Sequence, residues 1–228
     1  EHEDKGRLMT YFYYFILFQA YDLLLAQEAL TLNYLWPIVL IVLSIPLLKQ
    51  KIGFASIIAV IISFLGSYII ATGGKVFGFE FTNLYGVFLA LISCFAWALF
   101  WIQNIKDQRD EISKLFLNFC FGLLYTIVAI IFMGGFTMPS INGIFGGIYI
   151  GFFEMGITFI LWLKALKLSE TTAKVSNLIY LAPFLSLIII NIVLNESILI
   201  STFIGLLFII SGIILQKFSK KLSFRKSL

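Results

Sequence analysis

Residues 33–37 read Asn33-Tyr34-Leu35-Trp36-Pro37, and the Tyr-Leu pair and the proline return 146 residues later in Ile179-Tyr180-Leu181-Ala182-Pro183. The same spacing continues beyond both prolines. Leu48, Ile52, Ile58 and Gly66 return as Leu194, Ile198, Ile204 and Gly212 without a gap. This internal repeat of two apolar segments is the feature from which we predict the fold.

The composition places the chain in a lipid bilayer. Of its 228 residues, 61% are hydrophobic and 12% are charged, whereas soluble domains have about 25% charged residues. A helix needs about 20 apolar residues to cross the hydrocarbon core. Eight runs of about this length occur, at 8–24, 27–48, 52–72, 83–104, 112–133, 143–166, 172–194 and 197–216. The predicted fold class is all-α, a polytopic bundle of eight transmembrane helices.

The basic residues predict the orientation of these spans. With both termini in the cytoplasm, all 16 Lys and Arg residues except Lys75 fall on the cytoplasmic side, as the positive-inside rule requires. The first proline segment is followed by Lys49-Gln50-Lys51 and the second by Asn195-Glu196-Ser197. We therefore predict that the two copies lie upside down relative to each other, as in many secondary transporters. The predicted location is the cytoplasmic (inner) membrane.

The repeat divides the chain into three parts. Residues 1–82 hold three helices of the first copy, residues 83–216 hold five helices of the second, and residues 217–228 form a basic cytoplasmic tail. The helices at 83–104 and 112–133 would have their counterparts before residue 1. The symmetry therefore predicts an inverted 5+5 repeat whose first two helices are missing from this chain.

The two prolines are candidate hinges. Proline removes a backbone donor inside a helix, so we expect kinks at Pro37 and Pro183, with Tyr34 and Tyr180 one turn before them. Paired hinges that line a central cavity are one interpretation, and ordinary packing kinks are the other. Lipid rejects unpaired polar groups, so polar residues on these helices are expected to face the cavity, another helix or the interface: Gln27, Asn33 and Asn177. Glu28 lies near a helix start, where reaching the headgroups is an alternative.

Glu154 lies near the middle of the span 143–166, where a carboxylate costs about 2.5–3.5 kcal/mol. We predict that it pairs with a substrate ammonium group or acts as a proton-sensitive gate. The alternative is a neutral acid that is hydrogen-bonded to a facing helix. Gly143, Gly147 and Gly151 recur every four residues beside it and predict a smooth stripe for close helix packing.

Three tryptophans indicate an aromatic wall. Trp97 and Trp101 are four residues apart on one helical face, and Trp36 adjoins Pro37. An aromatic wall with a few polar groups suits a flat or apolar organic substrate. For Trp101, and for Trp162, anchoring at the cytoplasmic interface is the alternative.

Several other chemistries are not expected. His2 is the only histidine, and Cys94 and Cys120 lie inside apolar spans, where they are read as small buried hydrophobes. The sequence therefore predicts no metal and no cofactor. The net charge of +4 lies on one membrane face, so nucleic acid is not an expected partner. No Walker-type glycine loop is present to bind ATP.

The quoted residues resemble the drug/metabolite transporter superfamily. The resemblance rests on Ala26-Gln27-Glu28-Ala29, on Asn33-Tyr34-Leu35-Trp36-Pro37, and on the stretch from Glu154 through Trp162 to Leu166. Within it the chain is most similar to EamA-type permeases, and its Tyr-Leu-Trp-Pro motif resembles that of aromatic amino-acid exporters. The resemblance implies ten helices in two inverted halves. It also implies a basket-shaped cavity, lined here by the spans that begin near 8, 27, 83, 143 and 172.

The predicted function is that of a secondary transporter or exporter of small organic metabolites, with amino acids favoured, which works by alternating access. The expected partners are this metabolite and membrane lipid. Predicted substrate-binding residues are Gln27, Asn33, Tyr34, Trp36, Trp97, Trp101, Glu154, Asn177 and Tyr180. A membrane subunit or truncated permease without transport is one alternative. A lipid-modifying enzyme is the other, and its only charge-rich candidate is the loop at 106–111.

Overall fold

The computed structural model describes residues 4–75, 82–133, 138–194 and 199–224, and a few side chains within these ranges, including that of Gln27, lie outside the description. All regular structure in the described residues is helical, which confirms the all-α class. The elements are α1 (Asp4–Leu23), α2 (Ala26–Asn33), α3 (Trp36–Leu47), α4 (Phe54–Ala71), α5 (Leu84–Lys106), α6 (Glu111–Met133), α7 (Ile141–Tyr149), a π-helical segment (Ile150–Thr158), α8 (Phe159–Leu168), α9 (Thr172–Ser176), a 3-10 segment (Asn177–Leu181), α10 (Ala182–Leu194) and α11 (Ile200–Phe224).

Five helices in the described ranges are long and apolar enough to cross a membrane. They are Phe54–Ala71, Leu84–Lys106, Glu111–Phe132, Ile141–Leu168 and Ile200–Phe218. They agree with five of the eight predicted spans. The predicted span 8–24 lies in α1, which carries four charged residues, and the predicted spans 27–48 and 172–194 are not continuous α-helices.

Both proline segments are interrupted just before the proline. A turn at Tyr34 and Leu35 separates α2 from α3, and Pro37 is the second residue of α3. In the second copy, the 3-10 segment separates α9 from α10, and Pro183 is the second residue of α10. The disturbance expected at each proline therefore takes the form of a turn in the first copy and a 3-10 segment in the second. Proline is well tolerated in the first turn of a helix, where its missing N–H would have no partner.

The starts of the elements recur at the spacing of the sequence repeat. Moved 146 residues along the chain, the first residues of α2, α3 and α4 coincide with those of α9, α10 and α11. The interruption before each proline is thus part of a pattern that spans three elements, and it does not arise from one local sequence.

The closest helix contact in the described residues joins α4 to α11. A Cβ added at Gly205 would lie 2.5 Å from the Gly66 carbonyl oxygen, and one at Gly212 would lie 2.5 Å from the Ala59 carbonyl oxygen. Between these crossings, the Ser63 hydroxyl donates to the Ile209 carbonyl at 3.3 Å, a pair 146 residues apart. The contacts run up one helix and down the other, so α4 and α11 are antiparallel.

No described helix packs on the predicted glycine stripe. Gly143, Gly147 and Gly151 are on the exposed surface, and a Cβ at Gly147 or Gly151 would meet nothing within 4 Å. The segment from α7 through the π-helical turn lies outside the bundle, so no described helix reaches this stripe. Helix packing by glycine occurs instead at Gly66, Gly205 and Gly212.

Candidate functional site

A group of aromatic rings lies where α1, α3, α5 and α8 meet. We call it the tryptophan cluster: Tyr13, Trp36, Trp97, Trp101 and Trp162. Tyr13 stacks on Trp97 with ring centroids 4.2 Å apart. Trp97 contacts Trp36 and Trp101 edge to face at 6.4 and 5.4 Å, and Trp162 contacts Trp36 and Trp101 at 5.9 and 6.4 Å. The structure thus brings together the three predicted tryptophans.

The tryptophan cluster contains polar atoms that lack partners. The indole nitrogens of Trp101 and Trp162 are buried and have no hydrogen-bond acceptor among the described residues. By contrast, the Tyr13 hydroxyl donates to the side-chain oxygen of Asn33 at 3.3 Å. Buried donors are normally paired, so the two indole N–H groups are available to a bound molecule with an acceptor atom.

The interruption between α2 and α3 is held by a cysteine. The Cys94 thiol lies 3.3 Å from the Leu32 carbonyl oxygen and 3.7 Å from that of Asn33, to which it donates. These carbonyls belong to the last turn of α2, and the Leu32 carbonyl also accepts from the Leu35 N–H at 3.0 Å. Cys94 is buried as predicted and also acts as a weak donor that the sequence did not indicate, whereas Cys120, also predicted to be buried, is exposed.

The two copies of the repeat meet at their tyrosines. Tyr180 is fully buried, and its hydroxyl donates to the Tyr34 carbonyl oxygen at 3.2 Å. Their rings lie 6.4 Å apart. Pro37 and Pro183, each three residues after its tyrosine, are both buried. The predicted pair of tyrosines is therefore brought into direct contact, whereas a hinge role for the prolines stays a prediction.

A second link between the copies lies at the end of α3. Lys49 has a φ of 53° and turns the chain so that the Gln50 N–H donates to the Ser44 carbonyl at 3.3 Å. The Gln50 side-chain oxygen then accepts from the N–H and the hydroxyl of Thr172, at 3.0 and 3.1 Å. Gln50 thereby caps the start of α9.

Two predicted residues lie apart from these contacts. Glu154 is exposed in the π-helical segment. Asn177 is buried at the start of the 3-10 segment. The side chain of Gln27 falls outside the described residues. A substrate-binding role for each of the three stays a prediction.

The charge-rich loop after α5 has a structural role. Arg109 donates from Nε and Nη2 to the Asp107 carboxylate, and this pairing lowers the pKa of Asp107 below its usual value. The Asp107 carbonyl accepts from Lys114 and Lys167 at 2.9 and 3.1 Å. Lys114 on α6 and Lys167 on α8 therefore cap the end of α5, the role that lysines commonly play near helix C-termini.

Sequence reasoning missed Tyr13 and Phe159 in this region and left Trp162 as an interface anchor. Phe159 packs against both Trp97 and Trp101, at 5.5 and 5.2 Å. The only signal for Trp162 and Phe159 was their position within the stretch from Glu154 to Leu166. No local spacing connects Tyr13 to Trp97, because the two lie on different helices.

The family comparison matches most of the chain. The model of the EamA-like transporter family matches residues 6–72 and 84–216. A protein of known crystal structure has the same fold, with a TM-score of 0.80 over 94% of this chain and 74% of its own, at 18% identity.

Three curated relatives are named as transporters. An uncharacterized transporter of Clostridium kluyveri is 31% identical over 77% of this chain, and an uncharacterized transporter in the sor 3′ region of Acidianus ambivalens is 31% identical over 90%. The uncharacterized transporter YvbV of Bacillus subtilis is 25% identical over 81%. The matches cover 58%, 80% and 61% of these relatives, so the chain spans less than two thirds of the length of two of them.

Proposed function

The chain belongs to the EamA-like transporter family of multi-span membrane proteins, and we propose that it carries small organic metabolites, with amino acids favoured, across the cytoplasmic membrane. The tryptophan cluster is the observation that carries this proposal. Large buried rings with a few unpaired donors are typical of sites for organic molecules. A flat or apolar side chain of the substrate would lie against Trp97 and Trp101.

The proposed mechanism is alternating access between two inverted copies of the repeat. Three observations support it: the recurrence of element starts at 146 residues, the antiparallel contact of α4 with α11, and the hydrogen bond from Tyr180 to its own counterpart Tyr34. A twofold axis is the arrangement in which counterparts touch each other. Interrupted helices at such an axis are a recurring feature of secondary transporters, and here the interruptions precede Pro37 and Pro183.

The test is flux into proteoliposomes that contain the purified protein. We expect saturable uptake of at least one compound from a panel of amino acids and other small metabolites, and a loss of at least tenfold in kcat/KM for Trp97→Ala. Phe203→Ala is the matched control, because Phe203 is an exposed ring on α11 and its removal leaves the tryptophan cluster intact. Absence of saturable flux for every compound would overturn the proposal and favour a membrane subunit without transport.

A further inference from the structure

Three polar atoms are buried without a partner where α9 gives way to the 3-10 segment. They are the Ser176 hydroxyl oxygen and both amide atoms of Asn177, and none has a hydrogen-bond partner among the described residues. Ser176 is 0% exposed and Asn177 is 1% exposed. Buried polar side chains are nearly always paired, so two adjacent residues with three unpaired atoms indicate a missing ligand.

Within residues 172–181, the other polar side chains are paired. Thr172 donates to Gln50, Lys174 donates to Glu170 at 2.5 Å, and Tyr180 donates to Tyr34. The described surroundings can therefore satisfy polar groups one turn before and one turn after Asn177. A packing defect of the whole segment would not leave this pattern.

We propose that Ser176 and Asn177 bind the zwitterionic main-chain end of an amino acid, a proposal that rests on the proposed function. The Asn177 side-chain oxygen accepts from the substrate ammonium group. The Asn177 NH₂ and the Ser176 hydroxyl donate to the substrate carboxylate. An amide offers donors and an acceptor side by side, which is what a ligand with both charges requires.

The electrical environment favours a ligand with both charges over a single ion. Lys174, the only charged residue between Thr172 and Leu181, is already paired with Glu170 near the surface. A buried single charge without a counter-charge is strongly disfavoured, whereas a zwitterion has no net charge.

The first copy does not duplicate this site. Thr31 is the counterpart of Asn177 and is also buried with an unpaired hydroxyl. A single hydroxyl cannot present the two N–H donors and the carbonyl oxygen of an amide. The site is therefore assigned to the second copy alone, and Thr31 provides a matched control at the equivalent position.

The experiment measures binding of three probes to the purified full chain: L-phenylalanine, phenethylamine and 3-phenylpropionate. The wild type is expected to bind phenylalanine at least tenfold more tightly than either analogue, each of which lacks one charge. Asn177→Ala and Ser176→Ala should remove this preference. Thr31→Ala and Ser211→Ala, the latter at an exposed hydroxyl that bonds its own helix, should retain it.

Asn177→Asp gives a second test that does not depend on the alanine variants folding. It removes the donors and adds a negative charge, so it should bind phenethylamine more tightly than 3-phenylpropionate. Retention of the wild-type preference by both Asn177 variants would overturn the proposal. If phenylalanine binds in an Asn177-dependent way but no flux occurs, only the transport proposal is overturned. If other metabolites are transported but phenylalanine does not bind, only the proposed site at Ser176 and Asn177 is overturned.

Discussion

Among single residues, Glu28 holds two parts of the described chain together. It is 2% exposed, and its carboxylate accepts from the Leu25 N–H at 3.1 Å and from the N–H and hydroxyl of Thr82 at 3.0 and 2.7 Å. It therefore satisfies a free donor at the start of α2 and fixes the entry into α5. Because its carboxylate is bonded to protein donors, the predicted alternative, that Glu28 reaches the headgroups, does not hold.

We expect Glu28→Ala to lower the free energy of unfolding by about 3 kcal/mol, because hydrogen bonds to a buried charge are worth more than neutral ones and three donors lose their acceptor. Denaturant titration of the detergent-solubilised protein measures this change. Glu170→Ala is the matched control, since its surface ion pair with Lys174 is worth less than about 1 kcal/mol. Equal losses for the two variants would contradict the role of Glu28.

The residues of the candidate site differ in how far the sequence could predict them. Trp97 and Trp101 share a helical face by their spacing, and the repeat itself pairs Tyr34 with Tyr180. Tyr13 reaches Trp97 only because α1 packs on α5, a contact between helices that no local pattern specifies. The sequence therefore identified three of the five residues of the tryptophan cluster, and tertiary packing supplied Tyr13 and Trp162.

Between elements, the α4–α11 contact depends on the absence of side chains. We expect Gly205→Ala to destabilise the protein by about 1–3 kcal/mol, because the added methyl group would press on the Gly66 carbonyl and Ile70 and overpacking costs this much. Gly147→Ala is the control in open space, and it should be neutral or stabilise by up to about 1 kcal/mol through helix propensity. Thermal unfolding of both variants measures the difference, and the reverse order would contradict the contact.

The Gln50–Thr172 link makes a separate prediction about α9. Gln50→Ala removes the acceptor for two donors, so we expect amide hydrogen exchange in α9 to rise about tenfold, which corresponds to about 1.4 kcal/mol. Gln50→Glu keeps an acceptor oxygen and should preserve protection, as should Gln108→Ala in the exposed loop after α5. Unchanged exchange in Gln50→Ala would show that α9 is held by packing alone.

At the scale of elements, the sequence indicated where each proline segment is disturbed. It did not indicate that the disturbance is a turn in the first copy and a 3-10 segment in the second. Proline predicts disturbance at Pro37 and Pro183, yet whether a helix bends or restarts depends on whether the freed carbonyls find partners. In the first copy, Pro37 frees the Asn33 carbonyl, and the Cys94 thiol on α5 lies 3.7 Å from it as a weak donor. The glycine stripe at 143–151 shows the converse, because spacing marks a smooth surface without specifying that a helix lies on it.

In the whole molecule, the repeat was predictable because it has no gap, and the lysines on one side predict that its two copies are oppositely oriented in the membrane. That orientation is testable at two equivalent exposed positions, Gly53 and Leu199, which are 146 residues apart. Inverted copies place equivalent positions on opposite sides of the bilayer. Because lysines mark the cytoplasmic side, the lysines after α3 predict that residue 53 lies in the cytoplasm and residue 199 outside.

We therefore expect a membrane-impermeant maleimide, applied to intact cells, to label Leu199→Cys and not Gly53→Cys. The variants are made in a background with the exposed Cys120 replaced. Permeabilised cells serve as the control, because both cysteines should then react to a similar extent. If both cysteines were labelled from the same side, the two proline segments would share one orientation in the membrane. The two copies would then not be inverted, and alternating access about Tyr34 and Tyr180 would have no structural basis.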